Sequence, residues 1–206
     1  MSLERGLIGR GRGYLEDALV RAQRVGAREV VLVARLCLGH AALAAGRPAE
    51  AAEQARAVMA AAEVLKLRPL VCEAQALLSA TLVQTGGFAE AAEVAREAVV
   101  RARTLHLPMY EAVGRRALGV ALVRTGDAVQ GRKHLEAAAA AFEQMGARID
   151  WAKTLLVLAD LESNTGDLTD TDTLRARLKQ VVQLATSLRL DGDRAVALNL
   201  SARLSN

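Results

Sequence analysis

A glycine-rich stretch near the N-terminus has residue types that could hold a phosphate group. Gly9-Arg10-Gly11-Arg12-Gly13 combines small residues, which let backbone amides approach an anion, with two cations. A dinucleotide-binding loop, however, follows a strand and opens a helix, and no strand pattern precedes this stretch. We therefore expect a flexible basic terminus here, with weak nucleic-acid contact as its alternative role.

Aspartates near the C-terminus raise the question of a calcium site. They are Asp167, Asp170, Asp172, Asp191 and Asp193. An EF-hand loop needs acids at three alternating positions, a central glycine and a terminal glutamate, and neither acidic stretch fits. We expect these side chains to cap helices and to solvate loops.

The spacing of the histidines and cysteines indicates neither a metal site nor a disulfide. His40, His106 and His134 have no cysteine or histidine at zinc-ligand spacing. We expect Cys37 and Cys72 on neighbouring helices but at different heights along the helix axes. Their Cα atoms would then be too far apart for an unstrained disulfide. We expect no metal and no cofactor, and two inert, partly buried thiols.

Sequence motifs for catalysis are absent. The sequence contains no Walker loop, no HExxH and no GxSxG, and no set of nucleophile, base and orienting group can be assembled from it. We therefore expect this chain not to be an enzyme.

Composition favours helices over strands. The 206 residues are 52% hydrophobic but only 2% aromatic, and the abundant Ala and Leu are strong helix formers. The sequence opens with no signal-peptide pattern, and its longest uncharged stretch, residues 74–89, is too short and too polar to span a bilayer. We expect an all-α cytoplasmic protein with no membrane segment.

Helix-ending glycines recur along the chain. Gly46, Gly86, Gly126 and Gly166 lie forty residues apart, and glycine suits the left-handed position that ends a helix. Pro48 fits the first turn of a following helix, and Asp127 or Asp167 can cap one. A second set of breaks lies halfway between, so each forty-residue unit contains two helices.

The breaks predict helix boundaries throughout the chain. The first helices of the units, named A, cover residues 29–45, 70–85, 109–125 and 149–165, and the second helices, named B, cover 49–65, 89–105, 129–145 and 173–188. The repeats are about 28–66, 68–106, 108–146 and 148–189, with flanking helices at 7–25 and 193–205. The whole of 1–206 is thus predicted to be one domain. Its incomplete end units either act as caps or continue into a longer protein, and we favour the second interpretation.

Small residues recur at fixed positions of the unit. Gly39, Ser79, Gly119 and Ala159 stand seven residues before the turn glycine, each after a leucine, while Ala51, Ala91 and Gly131 stand five residues after it. A small residue on A facing one on B lets the two backbones touch. In the last unit, Leu174, Leu178, Val181, Ala185 and Leu188 form a stripe that suits either packing inside the array or a coiled-coil seam.

These small residues at fixed positions of the unit, together with the leucines that precede them, resemble the signature of the tetratricopeptide-repeat (TPR) family. The forty-residue unit is similar to the long-helix TPR arrays of bacterial multidomain transcriptional regulators and signalling ATPases. The resemblance implies a right-handed solenoid of antiparallel helix pairs, with about four full repeats and a half-repeat at each end. A HEAT-like two-helix solenoid is the alternative, because the aromatic residues common in TPR units are missing.

The resemblance also implies where a partner would bind. In a TPR superhelix the A helices line the concave face, which gives the predicted groove positions: Val33, Leu36, His40, Glu73, Ala76, Ala80, Gln84, Val113, Arg116, Val120, Arg124, Lys153, Leu156, Asp160 and Asn164. Arg116, Arg124 and Lys153 over an apolar floor could hold a peptide that carries acidic groups. The plainer alternative is that the arginines are merely solvated and that the valines pack against neighbouring helices.

Three functions follow as hypotheses. The first is a scaffold that binds a protein or peptide in the groove, as the regulatory or sensory part of a larger bacterial regulator. The second is self-association into a homo-oligomer through the end repeats. The third, nucleic-acid binding through the basic N-terminus, is the weakest, since few aromatics are present to stack on bases.

Overall fold

The computed structural model describes residues 2–164 and 171–204, with side chains from residue 11 onward, and these residues form ten α-helices and no strand. In chain order the helices are α1 (Ser2–Arg24), α2 (Arg28–Ala44), α3 (Pro48–Val64), α4 (Arg68–Thr85), α5 (Phe88–Thr104), α6 (Pro108–Arg124), α7 (Ala128–Gln144), α8 (Arg148–Asn164), α9 (Thr171–Leu188) and α10 (Asp191–Arg203). The all-α prediction is confirmed. Consecutive helices pack against one another, as in a helical solenoid.

The helices end through left-handed residues, as the glycine spacing predicts. Gly46 has a φ of +71°, and the next amide, that of Arg47, donates to the carbonyl of Ala42 at 2.9 Å. This closes the last turn in the manner of a Schellman motif. At two of the halfway breaks Lys66 and His106 take the same conformation without being glycine.

The helix starts agree with the predicted caps where they can be compared. Pro48 occupies the first turn of α3, and the Asp127 carboxylate accepts a hydrogen bond from the amide of Gln130 at 3.1 Å. Gly166 and Asp167 lie outside the described residues.

The N-terminal glycine-rich stretch differs from the prediction. Helix α1 begins at Ser2, five residues before the predicted start, and includes Gly9 to Gly13. The stretch is therefore part of a helix and not a flexible terminus or an open loop. A Cβ atom at Gly11 or Gly13 would meet nothing within 4 Å, while Arg12 between them forms an ion pair with Glu50 of α3 at 3.1 Å.

The buried apolar residues form two main clusters along the solenoid. One runs from α2 to α6 and the other from α7 to α10. Alanine supplies much of both, and Phe142 is a fully buried aromatic side chain. Four residues of the stripe on α9, Leu174, Leu178, Val181 and Ala185, are buried, so this stripe packs inside the solenoid.

The small residues at fixed positions of the unit bring A and B helices into backbone contact, as predicted. Ser79 on α4 donates its hydroxyl to the carbonyl of Ala91 on α5 at 2.8 Å. Between α6 and α7, a Cβ atom on Gly131 would lie 2.7 Å from the carbonyl oxygen of Gly119. No side chain fits there, because the obstacle is backbone that cannot rotate away.

Adding one methyl group to Gly131 should force α6 and α7 apart. We expect Gly131→Ala to lower the free energy of unfolding by about 1–3 kcal/mol. The matched control is Gly13→Ala, also within a helix but with open space around it, which should raise stability by about 0.5–1 kcal/mol. Urea denaturation followed by circular dichroism measures both, and equal stability of Gly131→Ala and the wild type would contradict the close approach.

Candidate functional site

Helices α4, α6 and α8 border a groove composed of two adjoining clefts. The α4–α6 cleft has a volume of about 390 Å³ and the α6–α8 cleft about 690 Å³. Both are lined by Val83, Val120 and Val157, so they form one continuous apolar surface. We refer to the two together as the groove.

Most of the predicted groove residues lie in these clefts. The α4–α6 cleft is lined by His40, Ala76, Ala80, Gln84, Val113, Arg116, Val120 and Lys153. The α6–α8 cleft is lined by Val120, Arg124, Leu156, Asp160 and Asn164. The TPR resemblance, combined with helical spacing, therefore named residues that the fold brings to one surface.

Three predicted residues lie elsewhere. Leu36 is only 2% exposed and belongs to the core with Leu32, one turn earlier on the same face of α2. Its assignment to the groove was wrong, because this face of α2 packs inward. Val33 is exposed outside both clefts, and Glu73 lies beside the groove, with a carboxylate oxygen 3.8 Å from His40 Nε2.

The groove also contains apolar residues that the sequence did not identify. Leu43, Leu77, Ala117 and Val157 line the α4–α6 cleft, and Val123, Leu135, Leu161 and Val196 line the α6–α8 cleft. Ala117 and Val157 stand four residues after the predicted Val113 and Lys153. A wider stripe on each A helix would have included them, whereas Val196 belongs to the distant helix α10.

Arg116 does not offer a free positive charge to a ligand. Its Nη1 donates to the Asp150 carboxylate at 2.8 Å and to the Asp150 carbonyl at 3.3 Å. The guanidinium also lies over the ring of Phe142, 5.2 Å from its centre. Arg116 therefore links α6 to the start of α8. Of the three cations predicted to be available to a ligand, two are left.

Those two cations are Lys153 and Arg124. Neither forms an ion pair within the described residues, although Arg124 lies over the ring of Phe88 at 5.5 Å. Asp160, an acid in the same groove, accepts a hydrogen bond from Asn164 at 3.2 Å. The groove as a whole thus combines an aliphatic floor with two available cations, Lys153 in the α4–α6 cleft and Arg124 in the α6–α8 cleft, and with one acid in the α6–α8 cleft.

The other candidate chemical groups are dispersed. Cys72 is buried, which raises the pKa of its thiol, and both cysteines are free. Burial lowers the pKa of His134. No three metal-ligating side chains converge among the residues that the structure covers, and none of the described helices is long and apolar enough to cross a membrane.

Three of the C-terminal aspartates considered for a calcium site lie at helix starts. Asp172 is in the first turn of α9, and Asp191 and Asp193 are in the first turn of α10, where negative charge is favourable. Asp167 and Asp170 are not among the described residues.

A second large concavity lies between α3 and α5, but some of its charged side chains already pair with one another. Its volume is about 630 Å³, and six of its lining side chains are charged. Across it, Arg101 and Glu63 form an ion pair at 2.7 Å. The apolar groove is therefore the stronger candidate for binding a partner.

Comparison with known proteins supports the fold. No protein-family model matches this chain, and no curated protein matches it either. The crystal structure of BtubC (BKLC) from P. vanneervenii is similar, with a TM-score of 0.66 over 96% of this chain and 89% of that one. The two sequences are 13% identical, so the likeness concerns the helical fold alone.

We expect the bridge between Arg116 and Asp150 to stabilise the folded protein. We expect Arg116→Glu to lower the free energy of unfolding by about 2 kcal/mol or more, because it removes charged hydrogen bonds and brings two carboxylates together. Lys153→Glu, which has the same charge change on an exposed side chain, should alter it by about 0.5 kcal/mol or less. Urea denaturation measures both. Failure of Asp150→Arg to restore stability to Arg116→Glu would contradict a direct bridge.

Proposed function

We propose that this chain is a protein-interaction scaffold that holds a segment of a partner protein in the groove. In this proposal it is a right-handed solenoid of the TPR type, with about four full helix pairs. It acts as the regulatory or sensory part of a larger bacterial regulator. The observation that carries the proposal is the continuous apolar surface across α4, α6 and α8.

The chemistry of the groove favours a peptide segment over a small polar ligand. Its two clefts adjoin at Val83, Val120 and Val157, which gives an elongated surface instead of a closed cavity. Extended apolar grooves take peptide side chains, while nearby charges set orientation and specificity. Lys153 and Arg124 would then attract acidic residues of the bound segment.

Peptides selected from a random display library provide the test. We expect the selected peptides to carry Asp or Glu beside apolar residues. The double variant Arg124→Glu/Lys153→Glu should bind them about tenfold or more weakly, since a tenfold change corresponds to only about 1.4 kcal/mol. Fluorescence anisotropy measures the affinities.

The control changes the same net charge outside the groove. Lys133→Glu/Lys179→Glu alters exposed lysines on α7 and α9 that line neither cleft, and it should leave affinity nearly unchanged. Equal weakening by both double variants would indicate a general charge effect and would contradict binding in the groove.

Self-association is the second candidate function, and exposed apolar side chains favour it. Tyr14 on α1 is 77% exposed, and Leu198 on α10 is 49% exposed. Contact between copies of these faces would remove apolar surface from water. This function requires no groove ligand.

Self-association predicts a mass that rises with protein concentration. Tyr14→Glu and Leu198→Glu should each reduce that rise in analytical ultracentrifugation, because each places a charge in the contact. Val129→Glu, a change at an exposed valine on α7, should have no such effect. A monomer at every concentration would exclude this second function.

A further inference from the structure

The A helices are not evenly spaced along the solenoid. Helix α6 packs extensively against α4 but contacts α8 at few positions. The space left between α6 and α8 is the α6–α8 cleft, whose volume is about 690 Å³. Leu135 of α7, which is fully buried, forms the layer beneath this cleft.

Large groups fill only one end of this space. Near the start of α8, Trp151 packs against the cluster formed by Ala112, Ala138 and Phe142, and the Arg116–Asp150 bridge crosses from α6. Towards the ends of α6 and α8 no comparable ring is present in the cleft lining. The opening is therefore confined to the second half of each helix.

The α6–α8 cleft has an aliphatic lining that includes Val123 of α6 and Leu161 of α8. Its charged residues are Arg124 and Asp160. The Asp160 carboxylate accepts a hydrogen bond from Asn164 at 3.2 Å, whereas Arg124 has no ion pair within the described residues. Aromatic side chains bury the most apolar area at interfaces and dominate binding when they enter such pockets.

We propose that the α6–α8 cleft is the anchor pocket of the groove, which takes one aromatic side chain of the bound segment while a neighbouring carboxylate of that segment meets Arg124. This inference rests on the proposed peptide-binding function and names the chemistry of the partner: an aromatic residue beside an acid. The aliphatic walls supply the contact area, and Arg124, which forms no ion pair within the described residues, supplies the preference for negative charge.

Two small probes with the same ring test the pocket directly. These are 3-phenylpropanoate, which is negative, and 3-phenylpropylamine, which is positive. In methyl spectra recorded by nuclear magnetic resonance, we expect 3-phenylpropanoate to shift the signals of Val123, Leu135 and Leu161. The amine should bind several-fold more weakly, and Arg124→Gln should reduce that difference. Shifts located elsewhere, no shifts, or equal binding of both probes would overturn the proposal.

A variant that fills the pocket from outside avoids disturbing the core. Val196 on α10 lines the cleft yet is 47% exposed, so Val196→Trp should occupy the opening while the protein stays folded. We expect it to weaken 3-phenylpropanoate binding about tenfold. Val129→Trp, at an exposed position outside the cleft, is the matched control and should not weaken it.

The library-selected peptides separate this inference from the proposed function. If peptides bind the groove and Val196→Trp weakens them about tenfold, the anchor pocket is supported. If they bind with unchanged affinity in Val196→Trp, the anchor inference fails while the scaffold function stands. If no peptide binds the wild type, both fail.

Discussion

The close contact of neighbouring backbones is the constraint on which the rest of this solenoid depends. Between α6 and α7, Gly119 and Gly131 leave no room for a side chain. Between α4 and α5, Ser79 reaches a backbone carbonyl directly. Such contacts require small residues at fixed positions, which explains why a sequence that is 52% hydrophobic contains only 2% aromatic residues. Many contacts between small side chains take the place of a few contacts between large aromatic ones.

This way of packing also shapes the groove. Because α4, α6 and α8 contribute alanines and valines to the two clefts, the groove has an aliphatic floor without large rings in its lining. Where large groups do enter, at Phe142 and Trp151, they lie between α6, α7 and α8. Beyond them the A helices separate, and the α6–α8 cleft opens. The larger of the two clefts therefore lies beyond these large side chains.

Much of the fold could be predicted from sequence because its signals are local. A glycine that ends a helix or a proline that begins one acts within one turn, so most helix boundaries lie within two residues of the predicted ones. The start of α1 differs because the glycine-rich stretch gave no helical signal of its own. The left-handed conformations of Lys66 and His106 could be placed only by their alignment with Gly26 and Gly146.

The groove was less predictable because it depends on how helices pack. The resemblance and the spacing on one helix placed Ala76 and Val120 on the surface that lines the α4–α6 cleft, but they could not show that the face bearing Leu36 turns inward. Nor could they show that Arg116 has a partner thirty-four residues away in Asp150. Both outcomes are set by neighbouring helices, and charge partners of this kind have no periodic signature in the sequence.

The Arg116–Asp150 bridge decides which charges the groove offers to a bound segment. By pairing within the protein, Arg116 removes its charge from the α4–α6 cleft, where His40 is close to Glu73. The available positive charges are then Lys153 in the α4–α6 cleft and Arg124 in the α6–α8 cleft, and only the second cleft also contains an acid, Asp160. The two ends of the groove therefore differ in charge, and this difference favours one direction of a bound segment over the other, because acids of the segment are repelled by Asp160.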